Sequence, residues 1–296
     1  MDVKDDVVRF YVKRFVIPKA LILDKPGFVN FKISGKTNIF ARQLLVPEEF
    51  FIKLESALIS KYADDGKSAL YSIGKKFGYS FSQLGRFENI NDHPGEKVKD
   101  WVIIASKFVE GTYASEIRQK INVKKKTVDF TLKNFVICRK LGFDYFLATG
   151  GAAGVIAWLL QDKTIEGTYY NNTSSADGEH SCKVKCAPLH KPNMPSKNIF
   201  GETLLDNLTQ NPEEYNKFNE EAEIRYNKSF ANYLDAKIFS YERGIIKLVS
   251  NDSRFFLMEA SGIYLLEVGL KERKMENLLF DIAYSIVFFR ILCQII

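Results

Sequence analysis

Two hydrophobic patterns alternate along the chain and predict a mixture of helices and strands. After Pro47, apolar residues recur in steps of three and four, which is typical of an amphipathic helix; they are Phe50, Phe51, Leu54, Leu58 and Tyr62. A second helical pattern begins near Lys67, and a third covers residues 97–110. Residues 27–33 instead alternate apolar and polar positions and end in a turn-forming segment, which predicts a strand of a hairpin. The chain is therefore predicted to be α+β, an antiparallel sheet with helices packed on it.

Residues 114–135 fit two different structures. The segment imitates a helix-turn-helix, with a bend near Asn122 and a recognition helix from Lys124, whose neighbouring lysines would suit DNA phosphates. However, apolar and polar residues alternate from Val128 to Leu132, as in a half-buried strand. We favour a β-hairpin with the lysines at its turn, and a DNA-binding regulator is the alternative.

The stretch from Phe146 to Cys186 organises the rest of the chain. It contains the small-residue run Gly150–Gly154, and glycine in a helix lets another backbone or a flat ligand come close, at a cost in helix propensity. Alternating runs at 164–170 and 181–186, joined through Asp177-Gly178, predict a hairpin with a long connection. The glycine spacing is not G-x-G-x-x-G and no second βα unit is evident, so a dinucleotide-binding fold is rejected.

This order of small-residue helix, acidic strand and cysteine-bearing strand resembles the end of the 4-vinyl reductase-type domain family. The resemblance covers about residues 27–187 and implies a compact small-molecule-binding domain, related to the sensors of aromatic-responsive activators and to transport-particle subunits. It also implies that the helices wall a ligand cavity, although an aromatic stripe is equally compatible with an ordinary core. The expected ligand-binding residues are Tyr71, Phe77, Tyr79, Phe81, Gly151, Gly154, Trp158 and Tyr169.

The domain division follows composition. We expect an N-terminal arm at 1–26, the ligand-binding domain at 27–187, a proline-rich linker at 188–212 and a mostly helical region at 213–296. Within the last region, Arg254–Glu267 can be laid without a gap over residues 42–55, so that Leu257 matches Leu45. This match predicts that the C-terminal region is a partial repeat of the opening half.

The apolar tail from Leu278 to Ile296 raises the question of a membrane. Asp281 and Arg290 interrupt it, whereas about 20 predominantly apolar residues are needed to span a bilayer. A buried or dimer-forming helix is therefore favoured over a tail anchor, and a homodimer is expected.

Composition and charge narrow the class of protein. An apolar fraction of 46% is that of a globular protein. The net charge is +6, and the basic excess lies before Pro195, where 30 lysines and arginines face 21 acidic residues. A nucleic-acid-binding protein usually gathers such charge on one face, and a solvated surface is the favoured interpretation. The chain has four irregularly spaced cysteines and an N-terminus without a signal-peptide core, which predicts a cytoplasmic protein.

Cys182 and Cys186 raise the possibility of a zinc site, since related sensor domains hold zinc with cysteines and a glutamate at this hairpin. Glu166 is the candidate third ligand. The chain departs from the family pattern, because an E-x-x-C motif starting at Glu166 would need a cysteine where Tyr169 stands. In a regular strand the two cysteines also lie about 13 Å apart, too far for one ion. Buried thiols on one strand face are the favoured alternative.

The sequence thus predicts a non-catalytic, regulatory protein that binds a small hydrophobic or aromatic molecule. No G-x-S-x-G, H-E-x-x-H or phosphate-loop motif appears among the 296 residues, so enzyme chemistry is not favoured. A scaffold or assembly subunit is the main alternative, and it predicts a filled core. An enclosed apolar cavity would separate the two hypotheses.

Overall fold

The computed structural model describes residues 7, 10–11, 21–25, 28–32, 40–84, 87–136, 145–174, 180–189, 230–242 and 244–295. The predicted α+β class is confirmed: antiparallel sheets are covered by packed helices. Most of the predicted N-terminal arm and nearly all of the predicted linker lie outside the described residues, as do residues 213–229 at the start of the predicted C-terminal region.

The described part of the chain contains ten strands, six α-helices and a 3-10 turn at Gly95–Lys97. The strands are β1 (Leu21–Lys25), β2 (Phe28–Lys32), β3 (Phe40–Pro47), β4 (Glu116–Asn122), β5 (Thr127–Lys133), β6 (Ile165–Ser174), β7 (His180–Pro188), β8 (Phe239–Glu242), β9 (Ile245–Leu248) and β10 (Arg254–Glu259). The helices are α1 (Glu48–Leu84), α2 (Val98–Tyr113), α3 (Phe146–Leu159), α4 (Phe230–Asp235), α5 (Ala260–Lys271) and α6 (Glu276–Ile295). Helix α1 is kinked at Ala63, where φ is 47°, so the two helical patterns predicted on either side form one interrupted element.

Six strands form the first sheet, in the order β1-β2-β3-β10-β9-β8. The two halves of this sheet have the same arrangement: each is a three-stranded meander whose last strand, β3 or β10, runs directly into a helix. Strands β3 and β10 join the halves, and Leu45 lies opposite Leu257 in their register. These two leucines are the residues matched by the proposed repeat. The arrangement is compatible with a duplication, which itself stays a prediction.

The second sheet has the order β4-β5-β7-β6. Strands β4 and β5 pair from Glu116 opposite Lys133 to Asn122 opposite Thr127. Lys126 closes the turn by donating its N–H to the Val123 carbonyl at 3.1 Å. The predicted hairpin is therefore confirmed and the helix-turn-helix alternative for this segment is wrong, because the inward residues of β5 alternate as a half-buried strand requires.

One core joins the N-terminal domain to the C-terminal region. Phe256 and Leu270 from the C-terminal region belong to the same buried cluster as Leu54 of α1 and Ile156 of α3. The two C-terminal helices, α5 and α6, pack against α1. Within the described residues, none of the helices, α6 included, is both long and apolar enough to cross a membrane.

Candidate functional site

A cavity of about 210 Å³ lies inside this shared core. Both sheets contribute to its wall, as do helices α1, α2, α3 and α5. Many of its lining residues are aromatic, namely Phe51, Phe77, Phe81, Tyr113, Phe130, Phe135, Tyr145, Tyr169 and Phe256. A largely apolar enclosure with a few polar groups is the usual form of a small-molecule site.

Ring contacts fix the shape of the wall. Tyr113 lies between Phe135 and Phe256, with ring centroids 6.2 and 5.2 Å away. On the α1 side, the rings of Phe77 and Phe81 lie 5.9 Å apart. Such aromatic pairs contribute about 0.5–1.5 kcal/mol beyond the area that they bury. The wall is therefore held by ring-to-ring contacts from three separate parts of the chain.

Besides three tyrosines, the polar side chains that line the cavity are Gln43, Ser106, Thr149 and Glu259. Gln43 of β3 and Glu259 of β10 are directly opposite each other, and both are buried. Among the described lining residues Glu259 is the single carboxylic acid. Burial, followed by the Glu259 carboxylate, raises the pKa of the Tyr113 phenol above its usual value. The cavity thus has a largely apolar lining and a buried polar pair, Gln43 and Glu259, that suits a hydrogen-bonding group on a ligand.

The end of α2 is fixed to β4 by buried charges. Glu110 accepts the Ile117 backbone N–H at 2.8 Å, and Lys107 donates to the Ile117 carbonyl. The Lys107 and Glu110 side chains also form an ion pair at 3.2 Å and are fully buried. This clamp positions Ile117 and the last turn of α2, both of which line the cavity.

Helices α1 and α3 cross with almost no space between their backbones. A Cβ atom added to Gly150 or Gly154 would lie 2.1 Å from the carbonyl oxygen of Tyr71 or Lys75, respectively. A Cβ atom on Gly78 of α1 would similarly lie 2.1 Å from the Gly151 carbonyl oxygen. The small-residue run predicted from the sequence therefore serves backbone-to-backbone packing, and the crossing sets one side of the cavity.

A buried ion pair locks α1 to β6. Lys75 donates to Glu166 at 2.6 Å, and the two side chains are 1% and 7% exposed. Tyr71 donates to the other Glu166 oxygen at 2.5 Å and accepts the Gly167 backbone N–H at 2.7 Å. Burial and then the Glu166 charge raise the pKa of the Tyr71 phenol, so it stays protonated and keeps donating. Every polar atom that Glu166 brings into the interior has a partner here.

Four of the eight predicted ligand-binding residues line the cavity: Phe77, Phe81, Gly151 and Tyr169. The structure places the other four away from the lining. Tyr71 binds Glu166, and Gly154 serves the helix crossing. Tyr79 and Trp158 form an edge-to-face pair with ring centroids 5.5 Å apart. The Trp158 Nε1–H donates to the Phe87 carbonyl at 2.8 Å.

The three candidate metal ligands are only partly brought together. Gly167, next to Glu166, pairs with Cys186, whereas Cys182 pairs with Leu132 farther along the sheet. Burial, followed by the Asp129 carboxylate, raises the pKa of the Cys186 thiol, so the residue is a protonated thiol here. Among the described residues, no group of three histidine, cysteine or acidic side chains could hold an ion.

The wall contributed by the C-terminal region was not predicted from the sequence. Phe256, Met258, Glu259 and Gly262 line the cavity although they follow the linker. The repeat contained the relevant signal, because it matched this segment to β3 and the start of α1. What the match did not give is that the two matched segments lie side by side and share one core.

Glu55 is a buried carboxyl group that caps α3 from α1. It accepts the Leu147 backbone N–H at 3.1 Å, and no hydrogen-bond partner of its second oxygen, Oε2, is found in the described parts of the chain. Burial raises the pKa of this carboxyl well above its ordinary value of 4.5. The folded protein therefore holds a proton on Glu55 at pH values where the unfolded chain has lost it.

We expect Glu55→Gln to raise the free energy of unfolding at alkaline pH and to change it little near pH 4. The raised folded pKa means that the wild-type contribution is full below about pH 4.5 and is lost as pH rises through the folded pKa. Glutamine keeps the acceptor for Leu147 and carries no charge. Urea unfolding of both proteins across this pH range measures the difference, and a constant difference at all pH values would contradict a buried, titrating Glu55.

Comparison with known proteins gives no family assignment. No protein-family model matches the chain, and no curated protein matches it significantly. The resemblance to 4-vinyl reductase-type domains thus stays a prediction. Among solved structures, the chain is similar to the phenol-responsive sensory domain of the transcription activator PoxR with phenol, at 14% sequence identity and a TM-score of 0.43. The match covers 65% of this chain and 94% of that chain.

Proposed function

We propose that the protein binds a small hydrophobic or aromatic molecule in the buried cavity and has a regulatory role. The observation that supports this function is a largely apolar cavity of about 210 Å³ with aromatic walls and a buried polar pair, Gln43 and Glu259. A filled core, which the assembly-subunit hypothesis predicted, would have had no such space. The ligand expected from the wall is an aromatic ring or short aliphatic body with one hydroxyl, amine or amide group.

Regulation would follow from the position of the cavity between the two halves of the molecule. A ligand there contacts α1 and α3 on one side and β10 and α5 on the other. Binding then favours the packing in which these elements are closed around it, and a population shift of that kind can change a partner contact elsewhere. The size of the shift is limited by the difference in ligand affinity between the two packings.

We expect Ala105→Phe to weaken binding of a cavity ligand by at least tenfold. Ala105 is a buried residue of α2 that lines the cavity. A phenyl group at this position would occupy the space that the ligand needs. The ligand stabilises the wild type by mass action, and the thermal midpoint should rise with ligand concentration. A thermal-shift series with phenols, aromatic amines and short lipids measures this, and Ala105→Phe should show little or no rise.

Ala236→Phe is the matched control. Ala236 is exposed in the turn after α4, so this substitution adds the same ring outside the cavity. It should respond to ligands as the wild type does. If Ala105→Phe and the wild type respond equally to a ligand, that ligand binds elsewhere and the proposed site is wrong.

A further inference from the structure

The positive charge of the protein is concentrated in three strands of one sheet and the turn between two of them. Residues 116–133 and 180–188, which form β4, β5, their turn and β7, carry eight lysines and arginines against two acidic residues. Their net charge of +6 equals that of the entire chain, so the remaining residues are neutral as a set. The sequence places the excess of positive charge only somewhere before Pro195, whereas the structure places it on β4, β5, their turn and β7.

Strand pairing places this charge on the outward face of the four-stranded sheet. Inward residues such as Phe130 and Val184 are buried, and the alternate positions face away from the core. Two cross-strand rows run across the middle of the outward face. One is Arg118, Thr131, Lys183 and Tyr170, and the other is Lys120, Asp129, Lys185 and Thr168.

Only part of this charge is neutralised locally. Glu116 pairs with Arg118 and with Lys133, the latter at 3.7 Å. Lys126 at the turn pairs with Asp162 at 2.9 Å. In the described portion of the chain, no carboxylate lies within ion-pair distance of five other lysines, namely Lys120, Lys124, Lys125, Lys183 and Lys185. These lysines form a band from the hairpin turn across the face of β7.

An aromatic ring adjoins the band. Tyr170 is 42% exposed on the edge strand β6 and is the register partner of Lys183. Phosphate-binding cations beside an exposed ring are the two components of single-stranded nucleic acid sites, where lysines follow the backbone and rings stack on bases. Surface binding to a membrane would instead call for several apolar side chains to insert, whereas polar residues, Thr131 and Asp129, fill the outward positions between the basic residues of the two rows.

From this arrangement we infer that the outward face of β4, β5, β7 and β6 is a binding surface for single-stranded nucleic acid. Lys120, Lys183 and Lys185 contact phosphates, and Tyr170 stacks on a base. The surface is on the side of the sheet opposite the cavity, so it is a second site that does not require a cavity ligand. The recognition is through charge and stacking, which predicts weak dependence on base sequence.

The test is fluorescence anisotropy with labelled polythymidine and polyuridine of about 20 nucleotides, at roughly 50 to 200 mM salt. The wild type should bind with an affinity that falls steeply as salt rises. Lys183→Glu/Lys185→Glu should weaken binding at least tenfold and flatten the salt dependence. Tyr170→Ala should weaken it roughly fivefold or more, whereas Tyr170→Phe should retain it.

Lys53→Glu/Lys271→Glu is the control with the same change in net charge, since both lysines are exposed on helices away from the sheet. It should stay within about threefold of the wild type, because only nearby phosphates are strongly affected. If the Lys183→Glu/Lys185→Glu protein has a lowered thermal midpoint, the test is repeated with Lys120→Gln/Lys124→Gln, which removes two positive charges and adds no negative ones. Equal losses in the sheet and control variants would overturn the assignment, as would binding to phosphatidylserine vesicles in the absence of nucleic-acid binding.

Discussion

Glu166→Ala is expected to lower the free energy of unfolding by about 3–5 kcal/mol, which is the usual cost of leaving one member of a buried ion pair alone. Lys75 would be left in the interior with a single backbone acceptor, the Lys163 carbonyl at 3.3 Å. Tyr71 would at the same time lose the acceptor of its hydroxyl group. Urea denaturation of the wild type and the variant measures the loss.

The double variant Lys75→Met/Glu166→Gln separates the charge from the packing. It removes both charges, and the glutamine carbonyl still accepts the Tyr71 hydrogen bond. Buried ion pairs replaced by groups of similar volume are often neutral or even stabilising. We therefore expect the double variant to be within about 1–2 kcal/mol of the wild type. A double variant as unstable as Glu166→Ala would show that the pair itself, rather than an orphaned charge, stabilises the fold.

Gly154→Ala should be the most damaging single methyl addition in α3, with a loss of about 3 kcal/mol or more. The new Cβ would lie 2.1 Å from the Lys75 carbonyl oxygen and 2.6 Å from the Tyr79 nitrogen. Both atoms are backbone, so relief requires the two helices to move apart. Since the crossing forms one side of the cavity, ligand binding should weaken together with stability.

Gly151→Ala is the matched control for this prediction. Its Cβ would lie 3.8 Å from the Gly74 carbonyl oxygen, which is ordinary van der Waals contact. Because glycine inside a helix costs roughly 0.5–1 kcal/mol relative to alanine, the control should be neutral or slightly stabilised. Thermal unfolding of the pair of variants measures the contrast. Equal midpoints for Gly151→Ala and Gly154→Ala would contradict the close crossing of α1 and α3.

The features predicted from sequence are those that local pattern determines. Alternation from Val128 to Leu132 was enough to choose a hairpin over a helix-turn-helix, since one strand face had to be buried. The small-residue run pointed to close approach, although the pattern alone did not decide between a backbone and a ligand. The structure shows that Gly154 contacts a backbone and that Gly151 lines the cavity.

The features that escaped prediction depend on pairing between distant segments. Leu45 and Leu257 are 212 positions apart, and no local property of either strand specifies that β3 pairs with β10. For the same reason the partnership of Lys75 with Glu166, 91 positions away, was not foreseen, and Glu166 was considered as a metal ligand instead. The structure also places Tyr79 and Trp158 against each other and away from the cavity lining, and no local property of either residue specifies that contact.

The shared core gives the C-terminal region a specific part in the proposed function. Its strand β10 and helix α5 close the cavity, so a truncation after the linker would remove Phe256 and Glu259 from the wall. The basic sheet face lies on the other side of the same β-strands that line the cavity through Phe130 and Val184. A ligand-dependent change in this sheet is therefore a physical route by which the cavity could influence a partner.

Native mass spectrometry of the purified wild-type protein and of Ala105→Phe tests the central claim most directly. A small-molecule adduct on the wild type that is absent from the variant, or that forms only on the wild type after addition of an aromatic compound, is the result we predict. Wild-type protein that carries no adduct and takes up none of the aromatic or lipid compounds offered, with an unchanged thermal midpoint, would contradict a ligand-binding cavity.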